Sequence, residues 1–169
     1  MSLIKSNLGG LGGSGAPGGS LGSFFSHTLD GSLRFDTDDS PRLFLDPTGS
    51  GTGSTKSTIS LWFKRSSLGS SQALFTGEAG SVAYDIINIG SNDKIQLTMQ
   101  NPNSYGLGTV GVFRDLNAWY HLVVECDTTL GTAADRFKMY VNGEEQTLSS
   151  IYGNYPQDHS WYWSRSGSS

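Results

Sequence analysis

Residues 137–143 read FKMYVNG, a stretch that contains a strand pattern and the turn that ends it. Phe137, Met139 and Val141 fall on one side of an extended chain, and the residues between them fall on the other. This alternation is typical of a strand that is buried on one face only, as in antiparallel sheets. Asn142-Gly143 is the dipeptide that best suits a type I′ turn, because both central residues of that turn need positive φ. The stretch therefore predicts a strand that leads into a β-hairpin.

The same alternation recurs from Ser32 onward, and turn residues separate its occurrences. Segments 46–54 and 90–93 are rich in Gly, Ser, Thr, Asn and Asp, which favour turns and loops. No window shows a helical stripe, so the sequence predicts an all-β fold, a sandwich or a barrel of antiparallel strands. The other predicted strands are centred on 33–35, 43–45, 59–63, 95–99 and 122–126.

Length and charge narrow the class of protein. A chain of 169 residues is long enough for one domain with a real core and too short for two comfortable ones. The formal net charge is −4 and the eleven Lys and Arg residues are scattered, which argues against a nucleic acid partner. No run approaches the roughly 20 apolar residues that cross a bilayer, so we expect neither membrane insertion nor a secretory signal peptide.

Residues 1–25 are predicted to form an extended, glycine-rich N-terminal arm, because eight of the first 22 residues are glycines. Such a segment cannot fold alone, because ordering the backbone costs about 1–2 kcal/mol per residue and glycine costs most. Two interpretations stay open: a flexible leader, and an anchor that orders on a partner through Leu3, Ile4, Leu8 and Leu11. A GxGxxG match in the arm follows no strand and opens no helix, so it predicts no dinucleotide site.

Four segments occur in the order found in a known family: SLRFD at 32–36, TISLWFK at 58–64, WYHLVV at 119–124 and FKMYVNG at 137–143. Together they resemble the strands of laminin-G-like, concanavalin A-like jelly rolls. The resemblance implies an antiparallel two-sheet sandwich at residues 26–150. In that sandwich Trp62 and Trp119 would supply large areas of contact, and His121 would hold a structural hydrogen bond between sheet and loop.

The chain departs from the family pattern after the hairpin, because the usual closing strand beside the first strand is absent. The sandwich is therefore predicted to be incomplete. Residues 151–169 would continue into a longer chain, or a neighbouring subunit would cover the open edge. Homo-oligomerisation, as a trimer for example, is expected on the same ground.

An aromatic cluster, Trp161, Tyr162 and Trp163, lies in this last segment. A sugar-stacking platform and an interface hot spot would both have this composition. The edge of a covered core would have it too. We predict these three residues to be partner contacts, and the core interpretation stays open beside it.

Nucleophilic catalysis is not predicted. His121 and Cys126 are five positions apart in one strand pattern, so they point to opposite faces and lie roughly 16 Å apart. The sequence contains no HExxH, CxxC or GxxxxGK[ST] motif, and its one GxSxG match, at residues 18–22, lies in the glycine-rich arm. Cys126, the single cysteine, allows no internal disulfide and has the apolar setting of a small buried side chain.

A glycoside hydrolase is the enzymatic alternative that the resemblance brings in. Such sandwiches usually carry two glutamates on one strand, two or four residues apart. Glu144 and Glu145 are adjacent and follow a turn, whereas Glu78 and Glu125 are isolated. The carboxylate pattern therefore favours a protein that is not an enzyme.

Acidic residues give only a weak metal prediction. The segment 36–39 begins like a calcium loop, yet it lacks the glycine and the final glutamate of an EF-hand. Asp38, Asp39 and Asp85 are weak calcium candidates, and no cofactor is predicted.

The sequence-based hypothesis is a non-enzymatic structural or adhesion component of a bacteriophage virion, assembled in the host cytoplasm: a tail fibre, capsid fibre or decoration protein. The arm would attach to other virion proteins, and the sandwich would face outward to contact neighbouring subunits or a host surface glycan. The alternative is a carbohydrate-binding or adhesion module of a secreted cellular protein. A concanavalin-like glycoside hydrolase is the third hypothesis.

Overall fold

The structure is a computed structural model that describes Phe35, Leu43 and residues 54–79, 83–100 and 105–164. The chain divides into two compact units, residues 1–45 and 46–169. Of the first unit the structure describes Phe35 and Leu43, and both side chains are exposed. Among the described residues, no helix is both long and apolar enough to cross a membrane.

The second unit is built from antiparallel strands in two sheets. One sheet has the order β1-β6-β7-β8 and the other has the order β2-β3-β4-β5-β9. Two short 3-10 turns, Ala133–Asp135 and Tyr162–Ser164, are the helical elements of the described chain. The predicted all-β, two-sheet architecture is confirmed, and the arm at residues 1–25 lies outside the described residues. The strands are β1 Lys56–Phe63, β2 Gln72–Ala79, β3 Ala83–Ile89, β4 Ile95–Gln100, β5 Tyr105–Thr109, β6 Tyr120–Asp127, β7 Phe137–Val141, β8 Glu144–Glu145 and β9 Leu148–Ser150.

The core lies between the inward faces of the two sheets. Leu122 and Val124 of β6 have no exposed area, and neither have Ile87 of β3 and Leu97 of β4. Each side chain of this size stabilises the fold by about 1.5–3 kcal/mol when it is fully buried. Cys126 belongs to the same core, and burial raises the pKa of its thiol to about 12. The prediction of a small buried side chain at this position is confirmed.

The hairpin between β7 and β8 has the predicted geometry. Asn142 has a φ of 53° and Gly143 a φ of 84°, as a type I′ turn requires of its two central residues. The Asn142 side chain also accepts a hydrogen bond of 2.8 Å from the backbone N–H of His121 on β6. The turn therefore fixes the register of the hairpin and the start of the neighbouring strand.

Two tryptophans that were predicted to supply large areas of contact lie on the surface. Trp62 is 62% exposed and Trp119 is 50% exposed. The reason is strand parity: Leu61 and Phe63 pack against the core, so Trp62 between them must point outward. Trp119 comes directly before Tyr120, which is buried, so the Trp119 side chain points away from the core as well.

Candidate binding face

The outward side chains of β1, β6 and β7 form one continuous surface, here called the outer face. The strand register places these side chains in successive rows across the sheet. From one end to the other the rows are Trp62 and His121; Ser60, Val123 and Tyr140; Thr58, Glu125 and Lys138; Lys56 and Asp127.

The aromatic end of the outer face is the stacked pair Trp62 and His121. Their ring centroids are 4.7 Å apart and the ring planes differ by 18°. Ser60 Oγ lies 2.9 Å from His121 Nε2, so a hydroxyl and a ring nitrogen are hydrogen-bonded beside the exposed indole. His121 thus holds a structural hydrogen bond, as predicted, although its side-chain partner is on the neighbouring strand. This end combines a large apolar ring with adjacent polar groups.

The charged end of the outer face is an open groove of about 500 Å³. Lys56 Nζ and Asp127 Oδ2 form an ion pair of 2.8 Å within it. The hydrogen bonds from Lys56 and from Thr129 lower the pKa of Asp127. Other side chains that line the groove are Thr58, Glu125, Leu130, Asp135, Arg136 and Lys138.

The loops beside the aromatic end are tied together by Asp93, which has a φ of 63° in the β3–β4 turn. Its carboxylate forms ion pairs with Arg65 Nη2 at 2.9 Å and with Arg114 Nε at 2.8 Å. The backbone N–H of Gly69 donates to the same carboxylate, and the N–H of Phe113 donates to the Asp93 carbonyl. Asp93 therefore joins the β1–β2 loop and the β5–β6 loop, the segments that follow Trp62 and precede Trp119.

This network predicts a stability change at low pH. The hydrogen bonds from Arg114 and Gly69, with the Arg65 guanidinium, lower the pKa of Asp93 from 3.8 to about 2. A group with a depressed folded-state pKa stabilises the fold above its ordinary pKa, and loses that contribution as the pH falls through the lower value. We expect the urea midpoint to fall as the pH decreases from about 4 to about 2.

The matched measurement uses Asp93→Asn, which removes the titrating group. Its urea midpoint should be lower than that of the wild type at neutral pH and should fall less between pH 4 and pH 2. Exposed Asp135→Asn should keep the wild-type pH profile. Identical profiles for wild type and Asp93→Asn would show that Asp93 is not the titrating group.

Comparison with known proteins bears on this geometry. The model of the Laminin_G_3 family, described as the concanavalin A-like lectin/glucanases superfamily, matches residues 33–169. The chain belongs to this family. No curated protein and no solved structure gives a match. The Laminin_G_3 match includes residues 151–169, the segment that the sequence analysis separated from the sandwich.

Trp161 is placed in the core of the Laminin_G_3 domain. Its side chain has no exposed area, and its ring contacts those of Phe137, Tyr155 and Trp163. This position agrees with the interpretation of the aromatic cluster as part of the core. Neither face of the Trp161 ring is accessible to a ligand. Tyr162 and Trp163 are half-buried, with the Trp163 ring stacked on Trp161 at 4.5 Å.

Asp85 lies inside the protein, not in a solvent-facing loop as the calcium hypothesis assumed. It belongs to β3 and has no exposed area. One carboxylate oxygen accepts a 2.8 Å hydrogen bond from the backbone N–H of Tyr162, and the other lies 3.5 Å from His159 Nε2. The side chain therefore anchors the C-terminal segment to β3.

The remaining predicted site residues lie outside the described residues: Leu3, Ile4, Leu8, Leu11, Asp38 and Asp39. Within the parts of the chain that the structure describes, no group of three His, Cys, Asp or Glu side chains is arranged to hold a metal ion.

The carboxylates of the two sheets can be compared with what a glycosidase of this superfamily needs. Glu78 lies on β2, in the opposite sheet from Glu125 on β6. Glu125 and Asp127 have the two-residue spacing on one face, a pair that the sequence analysis missed. A glycosidase needs one carboxyl that stays protonated in an apolar setting. Here the hydrogen bond from Lys56 lowers the pKa of Asp127, and Glu125 is exposed opposite Lys138.

Proposed function

We propose that this chain is a non-enzymatic carbohydrate-binding or adhesion module, and that the aromatic end of the outer face contacts the sugar. The observation that carries the proposal is the exposed Trp62 ring, stacked on His121 beside Ser60. An indole ring packs against the apolar face of a pyranose, while neighbouring hydroxyl and imidazole groups bond to sugar hydroxyls. Tryptophan is enriched among the residues that contribute most of the binding energy at interfaces.

The first test is Trp62→Ala, measured by binding of the full chain to a glycan array and by titration with each glycan that binds. We expect affinity to fall about tenfold or more, because truncation of a central aromatic anchor removes about 1.4 kcal/mol or more of binding energy. The control is Tyr152→Ala: Tyr152 is 62% exposed, like Trp62, and lies beside β5 of the other sheet. Equal affinity of wild type and Trp62→Ala would contradict the assignment.

The absence of catalysis is proposed from the carboxylates. The hydrogen bond from Lys56 lowers the pKa of Asp127, and exposed Glu125 lacks the apolar enclosure that a general acid needs. Prolonged incubation of bound glycans with the purified chain should release no reducing ends. Release that disappears in Glu125→Gln would place the protein among the glucanases of its superfamily.

We further propose that the module is a structural or adhesion component of a bacteriophage virion: a tail fibre, capsid fibre or decoration protein. It would be assembled in the host cytoplasm and be homo-oligomeric there. The glycine-rich arm supports attachment to other virion proteins, with Leu3, Ile4, Leu8 and Leu11 as contacts. The buried thiol of Cys126 supports a fold that forms in a reducing compartment.

The virion proposal is tested with photo-crosslinking groups placed at Leu8 and, as a control, at exposed Tyr152 of the full chain. Cross-links from position 8 to a virion protein in purified particles are the expected result. A chain that is absent from particles and binds glycan as a secreted monomer would support the cellular adhesion module instead.

A further inference from the structure

We infer that the ligand is an extended, uncharged oligosaccharide that lies along β1 and β6, from Trp62 to the groove at Lys56. This inference rests on the proposed function and adds the class of glycan to it. Its basis is that the aromatic end and the open groove belong to one surface, the outer face.

The length of the outer face favours a chain over a single ring. Outward side chains on one strand recur about every 6.6–6.8 Å, so Trp62 and Thr58 are about 13 Å apart and Trp62 and Lys56 about 20 Å apart. A ligand that packs on Trp62 must continue through several sugar units to reach the groove. Between the two ends, exposed Ser60 and half-buried Tyr140 place hydroxyl groups beside its path.

The charges of the groove favour a neutral ligand. Lys56 is paired with Asp127, and Glu125 lies opposite Lys138 in the β6–β7 register. Cross-strand neighbours of opposite charge attract each other at this separation, so the groove has no excess of either sign, and Glu145, opposite Tyr140 in the β7–β8 register, adds a carboxylate at the edge of the sheet. Such a surface does not select an anionic polymer, whereas its carboxylates and ammonium groups can bond to sugar hydroxyls.

The remaining charges at the groove leave this balance unchanged. The negative charge of Asp135 balances the positive charge of Arg136. The Arg136 guanidinium is buried, and it already donates hydrogen bonds to the backbone carbonyls of Leu130, Gly131 and Tyr155. Leu130 is itself exposed at the groove and gives an apolar contact for a sugar ring. The groove thus offers a sugar the same combination of apolar and polar contacts as the aromatic end, with leucine in place of tryptophan as the apolar side chain.

The test is titration of the full chain with ladders of di-, tetra- and hexasaccharides. The probes are four neutral series, β-1,4-glucan, α-1,4-glucan, chitin and β-1,4-mannan fragments, and one anionic series, oligogalacturonate. We expect at least one neutral hexasaccharide to bind about tenfold or more tightly than its disaccharide, with oligogalacturonate weaker at every length. A tenfold change corresponds to about 1.4 kcal/mol.

Variants distinguish the contribution of the aromatic end to binding from that of the groove. Glu125→Gln should weaken the hexasaccharide several-fold and leave the disaccharide unchanged, whereas Trp62→Ala should weaken both. Glu78→Gln, exposed on the other sheet, is the matched control. Urea unfolding of each variant checks that the fold is intact.

The outcomes distinguish this inference from the proposed function. If disaccharides bind as tightly as hexasaccharides and Trp62→Ala still removes binding, the extended-ligand inference fails and the glycan-binding function stands. Tighter binding of oligogalacturonate overturns the neutral class. If no ladder binds, or if the outer face binds another protein and no glycan, both fail.

Discussion

Replacement of Trp161 by alanine should lower the free energy of unfolding by about 3–5 kcal/mol, the range for truncation of a buried aromatic side chain. The ring lies in the core and contacts Phe137, Tyr155, His159 and Trp163. Its removal leaves a cavity that these rings cannot fill without leaving their own contacts. Because Trp161 belongs to the last segment of the chain, such a loss would show that this segment is part of the folded unit.

The measurement is urea unfolding followed by near-ultraviolet circular dichroism. Trp119→Ala is the matched control, because Trp119 is 50% exposed just before β6 and its truncation should change stability by about 0.5 kcal/mol or less. Trp161→Phe keeps an aromatic ring, so its free energy of unfolding should lie between those of the wild type and Trp161→Ala. This variant provides the measurement if Trp161→Ala does not fold. Equal stability of the Trp161 and Trp119 alanine variants would contradict the buried position.

The sandwich could be predicted from sequence because its strands and turns are specified by residues close together in the chain. Alternation along β4, β6 and β7 identifies the inward side chains without knowledge of any partner strand. The Asn142-Gly143 turn needs only its own two residues to specify positive φ. The predictions for these three strands and this turn depend on residues that are neighbours in the chain, and they agree with the structure.

The outward position of the tryptophan at the aromatic end of the outer face was predictable as well. Ile59, Leu61 and Phe63 were assigned to the core face, so the same alternation requires Trp62 to point outward. The stack on His121 was not predictable, because it depends on the β1–β6 register.

Contacts between residues distant in sequence could not be predicted. Asp85 appeared as an isolated acidic residue, and its hydrogen bond with the N–H of Tyr162 exists only because the C-terminal segment returns to β3. Asp93 likewise appeared as one residue of a turn, although it binds Arg65 and Arg114 from two other loops. The spacing of residues along the sequence does not identify such partners when neither residue belongs to a motif.

Gly77 of β2 shows the same limit, because the sequence does not indicate what approaches it. A Cβ atom at this position would lie 2.2 Å from the backbone nitrogen of Trp163 and 2.4 Å from its Cα. A flexible side chain could move away from an added methyl group, but backbone atoms move only if the whole segment moves. The close approach of the C-terminal segment to β2 therefore depends on the hydrogen side chain of glycine.

Gly77→Ala should displace the C-terminal segment and lower the free energy of unfolding by about 1–3 kcal/mol, the usual cost of inserting a methyl group into a packed site. The displacement would separate Trp163 from Trp161, whose rings stack at 4.5 Å, and should shift tryptophan emission to longer wavelength. Gly131→Ala is the control, since its added methyl would meet no atom within 4 Å and should leave both measurements unchanged. Unchanged stability and emission in Gly77→Ala would mean that the segment does not pack on β2. The combination of a destabilised Gly77→Ala with undiminished glycan affinity would place the C-terminal aromatic residues in the scaffold and leave binding to the outer face.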